Sequence, residues 1–363
     1  MVETRRIRYA VVGLGNIAQV AVLPAFAHAA ENSELVALVS SDETKRRELS
    51  ARYGVEHTGS YEDFERVLEG SQADAVYIAL PNHLHREYTE RAAACGVHVL
   101  CEKPMATSSV DCQAMIDAAR QAGVRLMIAY RLHFEAANLR AIEYARSGQI
   151  GNPVLLATAL THWVEPGNIR TRPEVGGGAL FDIGIYCINA ARYLFGDEPE
   201  EVFCFANVGR EAGKDGVDET VAGVLRFPGG RYSTFQISQV ASSVSHFRLV
   251  GSQGVLEVDR AFSFSDPRTL RLEREDEREE EVFPRNDQFA PLLVYFSRCL
   301  LEDREPEPSG IEGLADVRII EALQRSASLG EPVSLDPFPE PSYPAPEQRI
   351  DKPAVEPPPT VNA

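Results

Sequence analysis

Arg8-Tyr9-Ala10-Val11-Val12-Gly13-Leu14-Gly15-Asn16-Ile17-Ala18 decides the fold: an apolar run passes directly into G-x-G-x-x-A, and a helical pattern continues to about Ala30. Strand, tight turn and helix in that order are what a dinucleotide-binding βα unit requires. Gly13 permits the turn, Gly15 lets a pyrophosphate approach the backbone, and Ala18 is small enough for close helix packing. The pyrophosphate would rest on the helix start at Asn16 and Ile17, where unpaired amides and the helix dipole favour an anion.

Outward from this unit, the run Leu35-Val36-Ala37-Leu38-Val39 ends in Ser40 and Ser41, with Lys45, Arg46 and Arg47 one turn further on. An acid at that strand end would bond a ribose 2′-hydroxyl and repel a 2′-phosphate. Hydroxyls beside cations suit the 2′-phosphate, so the expected cofactor is NADP. Asp42 either caps the helix that opens near Glu43 or reaches the ribose. The apolar run 75–80 ends in Leu80-Pro81-Asn82-His83-Leu84-His85, which would lie across the cofactor from the glycine turn. Asn82 and His85 are candidates to touch nicotinamide or ribose, though for His85 capping or packing at the start of the next helix is the favoured reading.

The run 97–101 delivers Glu102-Lys103-Pro104 at the carboxyl end of a strand, where an open parallel sheet exposes its ligand crevice. Pro104 stiffens the exit and biases Lys103 away from helical dihedrals. Lys103 can bond a sugar hydroxyl, hold a cofactor, or lower the pKa of a neighbouring acid. A helix over about 108–121 and a strand over 125–129 complete a doubly wound sheet. Arg131 and His133 then leave the last strand at the passage between domains, facing either the crevice or the interdomain seam.

In the second half, Arg170 and Arg172 sit in a long loop and are candidates to hold a sugar or a phosphate. Gly176-Gly177-Gly178 let backbone approach something closely, and the helix after them carries Asp182, Tyr186 and Asn189 at spacings that place all three on one face. From about 201 to 272, short alternating runs separated by turns read as an open, largely antiparallel sheet. Its far face would be bare in a single copy, so oligomerisation is expected. The charge run 273–281 reads as a solvated edge. Beyond Leu335 the chain is proline-rich and cannot be helix or central strand, which leaves disorder or an extended arm on a partner anchored by Phe338 and Tyr343.

The fold class is therefore α/β: a Rossmann domain over 1–129, an α/β domain with a large open sheet for substrate and oligomerisation over 130–335, and a proline-rich tail over 336–363. A length of 363 residues suits two cores. The net charge of −18 argues against nucleic acid and anionic membrane as partners. The opening Met1–Arg6 shows no cleavable apolar region, and six scattered cysteines lack ligand spacing. No export signal, no metal and a cytoplasmic location are expected.

With Gly13-x-Gly15-x-x-Ala18, Glu102-Lys103-Pro104 and Asp182-Ile183-Gly184-Ile185-Tyr186 in this order, the chain resembles the glucose–fructose oxidoreductase / inositol dehydrogenase / rhizopine catabolism family from about residue 7 to 335. It is most similar to the glucose–fructose oxidoreductase branch, where that tyrosine replaces a histidine. The resemblance implies NADP chemistry on sugars, and a homodimer or homotetramer built sheet to sheet. By it Lys103 is the catalytic-site lysine, Asp182 a substrate-binding acid and Tyr186 the proton-transfer residue. The expected reaction is hydride transfer from the anomeric carbon of an aldose to NADP, giving the lactone, with either a dissociable cofactor or a retained one that reduces a second sugar. A phenol is too weak a base at neutral pH unless its phenolate is stabilised, which Lys103 would do. The competing readings are a dehydrogenase of dihydrodiols or cyclic polyols, and a non-catalytic NADP-sensing protein.

Overall fold

The computed structural model describes residues 5–209, 216–275, 277–339 and 342–362. Residues Met1–Thr4, part of the opening read above, lie outside them.

The β-runs of the first third form a six-stranded parallel sheet in the order β3-β2-β1-β4-β5-β6. Its strands are β1 (Ile7–Val12), β2 (Ser33–Val39), β3 (His57–Gly59), β4 (Ala75–Ile78), β5 (His98–Cys101) and β6 (Leu126–Ile128). The continuous apolar runs are buried because helices cover both faces, as in doubly wound sheets. The order reverses between β1 and β4, which opens a crevice at their carboxyl ends. Gly13 turns the chain there with φ +89°, and a Cβ at that position would lie 2.4 Å from the Ala79 carbonyl oxygen, so only glycine fits. The helix after it begins as a π-turn (Ala18–Val22) and runs into the short α1 (Leu23–Ala25). Of the two roles open to Asp42, the structure shows the cap: its side chain accepts from the Lys45 amide at the start of α2 (Glu43–Tyr53).

The remaining helices of this half are α3 (Phe64–Ser71), α4 (His85–Ala94) and α5 (Ser109–Ala122), the last capped by Ser108. After a 3₁₀ turn (Arg131–Phe134) and α6 (Ala136–Arg146), the chain builds a nine-stranded sheet in the order β14-β13-β12-β11-β7-β10-β9-β8-β15. Its central strand β7 (Pro153–Trp163) pairs parallel with β10 (Arg231–Ser238) and antiparallel with β11 (Val240–Gly251). The flanking strands are β8 (Glu201–Val208), β9 (Asp218–Phe227), β12 (Val255–Asp259), β13 (Arg268–Arg274), β14 (Glu277–Phe283) and β15 (Val333–Ser334). α6, α7 (Ile185–Phe195) and α9 (Gly310–Leu329) pack against the sheet. On its other face Leu155, Tyr232 and Phe205 stay exposed.

The charge run, read as a solvated edge, begins at the end of β13 and continues in β14, the edge strand, where exposed charges at 277–280 guard the sheet edge. Two expectations change. α8 (Ala290–Leu301), placed by sequence with the second domain, packs on the first: Tyr9 bonds Ser297 at 2.9 Å and Asn32 donates to the Val294 carbonyl at 2.9 Å. The described part of the proline-rich tail is neither disordered nor a free arm. It lies on its own chain, with Tyr343 donating to Glu198 at 3.0 Å and Val361 paired with Gln19, because extended proline-rich backbone still offers carbonyls and amides to partners. Among the described residues no helix is long and apolar enough to cross a membrane.

Candidate active site

Three segments meet where the parallel sheet opens. Glu102 and Lys103 follow the end of β5, the 3₁₀ turn after β6 supplies Arg131, the π-turn before α7 supplies Asp182, and the first turn of α7 supplies Tyr186. Lys103 Nζ donates to the backbone carbonyl of Asp182 at 2.8 Å and stands 4.6 Å from the centre of the Tyr186 ring. The Arg131 guanidinium stands 5.0 Å from the same ring. It is held in place by Gln288 and by the Phe262 carbonyl, the latter at 2.7 Å. Burial pushes the Tyr186 phenol up, but the two cations outweigh it and leave its pKa below the ordinary value of 10.0. Glu102 accepts from the Tyr77 hydroxyl at 2.7 Å, and burial pushes its carboxyl above the ordinary range.

Asp182 is held from several sides. Arg170 Nε donates to one carboxylate oxygen at 3.1 Å, Gln239 Nε2 to the other at 3.0 Å, and His162 Nε2 lies 3.4 Å from that second oxygen. Burial opposes its charge, yet His162, Lys103 and Arg170 together hold the carboxyl far below its ordinary value. The segment from Leu180 to Gly184 is a π-turn, capped by Asp218, which accepts from the Leu180 amide at 2.7 Å. Asn189, three residues beyond Tyr186 within α7, is spent away from the site: it lies buried between His133 and Asp316. The glycine run serves close approach: a Cβ at Gly177 would lie 2.5 Å from the Arg170 carbonyl, so glycine lets the arginine loop fold back on the helix start.

The dinucleotide candidates line the other side of the crevice. The Gly13 amide donates to the Val39 carbonyl at 3.0 Å, so the glycine turn touches the end of β2. A Cβ at Gly15 would meet nothing within 4 Å, which leaves an open cradle where a pyrophosphate would rest, bordered by Asn16, Ile17 and Ala18. Ser40 is buried, Ser41 exposed, and the Arg46 guanidinium folds back onto the Ser40 carbonyl. Lys45 is fixed through its backbone at the α2 cap. These groups fit a phosphorylated ribose, and Asp42, engaged as a cap, leaves no free acid for an unphosphorylated one. Leu80 and Pro81 come directly after β4, and Asn82 donates to the Gly176 carbonyl at 2.8 Å, joining the two rims of the crevice.

Other candidates lie elsewhere. His85 is fully buried, with its ring nitrogens each 2.9 Å from the carbonyls of Leu80 and Pro104. His133 is also fully buried, 3.0 Å from Glu307 and 2.8 Å from Asn189, so it serves the interdomain seam. Arg172 pairs with the exposed Glu174 and does not reach Asp182. Sequence reasoning missed His162, Gln239 and Tyr77: no local signal marks them, since each reaches the site through strand pairing. Among the described residues no group of three or more His, Cys, Asp or Glu side chains is arranged to hold a metal.

Comparison with known proteins matches residues 7–130 to the GFO/IDH/MocA oxidoreductase family model, NAD-binding Rossmann fold, and 138–257 to the GFO/IDH/MocA C-terminal domain. A D-xylose 1-dehydrogenase [NADP(+)] of Haloarcula marismortui is 35% identical over 337 residues, covering 91% of this chain and 93% of the relative. The crystal structure of an aldose–aldose oxidoreductase from Caulobacter crescentus complexed with glycerol superposes with a TM-score of 0.86 at 38% identity, covering 91% of this chain and all of that one. A 3-ketoreductase from Actinomadura kijaniata in complex with NADP and TDP-benzene gives 0.81 at 28% identity, covering 89% of this chain and 98% of that one.

Proposed function

The chain belongs to the GFO/IDH/MocA oxidoreductase family, and from that premise we propose that it oxidises the anomeric carbon of a pyranose aldose to the lactone. It is an NADP-dependent oxidoreductase acting on a CH–OH group of sugars. The observation that carries the finer reading is the Tyr186 ring bracketed by Lys103 at 4.6 Å and Arg131 at 5.0 Å, with its phenol acidified by them.

Held at the Gly13–Ala18 turn and at Ser40, Ser41 and Arg46, NADP supplies the hydride acceptor. The protein's own residues handle the proton and the orientation of the sugar. Tyr186, as phenolate, accepts the proton of the anomeric hydroxyl, and the cations beside it stabilise the charge it carries beforehand. Asp182, kept ionised by Arg170, His162 and Gln239, accepts from a neighbouring sugar hydroxyl and fixes C1 relative to Tyr186. Arg170 closes this side of the crevice. Glu102, tied to Tyr77, holds the end of β5 and with it Lys103.

A retained cofactor and a second sugar as oxidant would make the protein an aldose–aldose or aldose–ketose oxidoreductase, a reading supported by the likeness to the Caulobacter crescentus enzyme. The exposed Leu155, Tyr232 and Phe205 support oligomerisation through the second sheet, and six unpaired cysteines, five of them buried, support a cytoplasmic location. A second reading, exchange of hydride at carbon 3 of the ring, draws on the likeness to the 3-ketoreductase. The test incubates the protein with NADP⁺ and a panel including xylose and glucose, and identifies the product by NMR. Lactone supports anomeric oxidation. A keto-sugar that keeps its anomeric hydroxyl refutes it in favour of the second reading.

A further inference from the structure

We propose that residues 353–362 form an intramolecular strap on the rim of the adenosine end of the dinucleotide site, and that this strap retains NADP on the protein. The inference rests on reading the Gly13–Ala18 turn and the Ser40–Asp42 strand end as that site.

The segment leaves the second sheet anchored by Tyr343 on Glu198 and by Gln348 on the Glu307 side chain at 2.6 Å. It then crosses to the first domain. The Asp287 amide donates to the Lys352 carbonyl at 3.1 Å, and Arg285 reaches both the Val355 carbonyl and Glu356. Arg52 on α2 donates to the Pro359 carbonyl at 2.8 Å. At the far end, the Gln19 carboxamide donates to the Val361 carbonyl at 2.9 Å and accepts from the Val361 amide at 2.7 Å. Asn362 donates to the Asp42 carboxylate at 3.3 Å.

Two features make these contacts more than tail packing. Gln19 is fully buried, directly follows Ala18, and also donates to the carbonyl of Leu14, the residue between the two glycines of the turn, at 2.9 Å. One buried carboxamide thus ties the glycine turn to the strap, and the Val361 backbone meets both the donor and the acceptor that its side chain offers there. Asp42 is the cap that ends β2 and opens α2, so Asn362 sits beside the place where the ribose and its 2′-phosphate would lie. Val361 joins the apolar cluster of Leu14, Val22 and Leu38, which seats the strap under the rim. Pro353, Pro357, Pro358 and Pro359 keep the segment extended and reduce the entropy lost when it docks. Adenosine leaving this end meets the strap, and release is slowed by the time the strap needs to lift.

The test measures NADPH dissociation by stopped-flow fluorescence, chasing with excess NADP⁺, for the full chain and for a chain ended after Lys352, which keeps the Tyr343 and Gln348 anchors. The shortened chain should release NADPH about tenfold faster or more. An unchanged rate overturns the strap. Because the cut leaves Gln19 unpaired and can itself impair folding, a second measurement uses the intact protein: the Val361 amide should exchange with solvent more slowly once NADPH is bound. Equal exchange with and without NADPH also overturns the proposal. A full chain that binds no NADPH at all instead overturns the cofactor reading beneath it.

Discussion

At the scale of single residues, the site is a charge arrangement around one phenol. Replacing Tyr186 with phenylalanine removes the proposed proton acceptor while keeping the ring between its cations. Turnover should fall by about 10²–10⁴-fold with NADPH affinity nearly unchanged, measured by steady-state rates and fluorescence titration; retained turnover would remove Tyr186 from the mechanism. The pH profile carries the sign of its acidification. Sugar oxidation needs the phenolate, so the rate rises with pH and levels off above the Tyr186 pKa, which lies below 10.0. Lys103→Met or Arg131→Met removes a charge that favours the phenolate, so each should move the inflection to higher pH, by about one unit for each 1.4 kcal/mol of lost interaction. An inflection that stays put in both variants would assign it to another group.

Lys103 and Tyr186 were legible because local signals mark them: a strand ending in Lys-Pro, and a polar pair on an otherwise apolar helix. His162 and Gln239 were not, since they reach Asp182 only when β7 and β10 pair side by side, residues Gln236 and Ala159 being partners. Arg46 stood beside Lys45 in the sequence with nothing local to say which of the two would turn back to the strand end; the geometry singles out Arg46.

At the scale of elements, α7 carries the proposed proton acceptor Tyr186 at one end and a buried ion cluster at the other. Arg192 is 1% exposed and meets Glu198 at 2.7 Å, Asp316 at 2.8 Å and Glu312 at 3.2 Å, the last two on α9. Arg192→Met leaves buried carboxylates without their cation and should destabilise the protein by about 3–5 kcal/mol, read by denaturant unfolding. A loss within experimental error would mean the carboxylates take up protons without penalty. Helical spacing overstated the polar face of this element, because Asn189 is buried and bonded to His133 and Asp316, partners far off in the chain that no local pattern announces. At β14 the dense charge of residues 277–281 gave no strand signal, and the strand forms by pairing with β13.

At the scale of the whole molecule, two sheets are joined by helices that do not respect a simple boundary: α8 returns to the first sheet, and the proline-rich segment ties both halves. Composition announced that segment as unable to form helix or central strand; its described residues form no α-helix or sheet strand, but Pro346–Gln348 closes a 3₁₀ turn. Its docking depends on single residues far apart in the chain, such as Gln19 and Val361, and so left no local trace. The bare face of the nine-stranded sheet is large and apolar at Leu155, 49% exposed, and Tyr232, 40% exposed, which are register partners on adjacent strands. If copies associate there, the double substitution Leu155→Glu and Tyr232→Glu should convert the oligomer to a monomer in light scattering. An unchanged mass, or a wild-type monomer, would place any interface elsewhere.

The central claim is that hydride leaves the anomeric carbon. Glucose or xylose carrying deuterium at C1 tests it most directly, with the reduced nicotinamide and the sugar product both examined by mass spectrometry. The account predicts that the deuterium passes to the nicotinamide and that the product is an unlabelled lactone. Deuterium retained in an oxidised sugar would contradict it and move the reaction to another ring carbon.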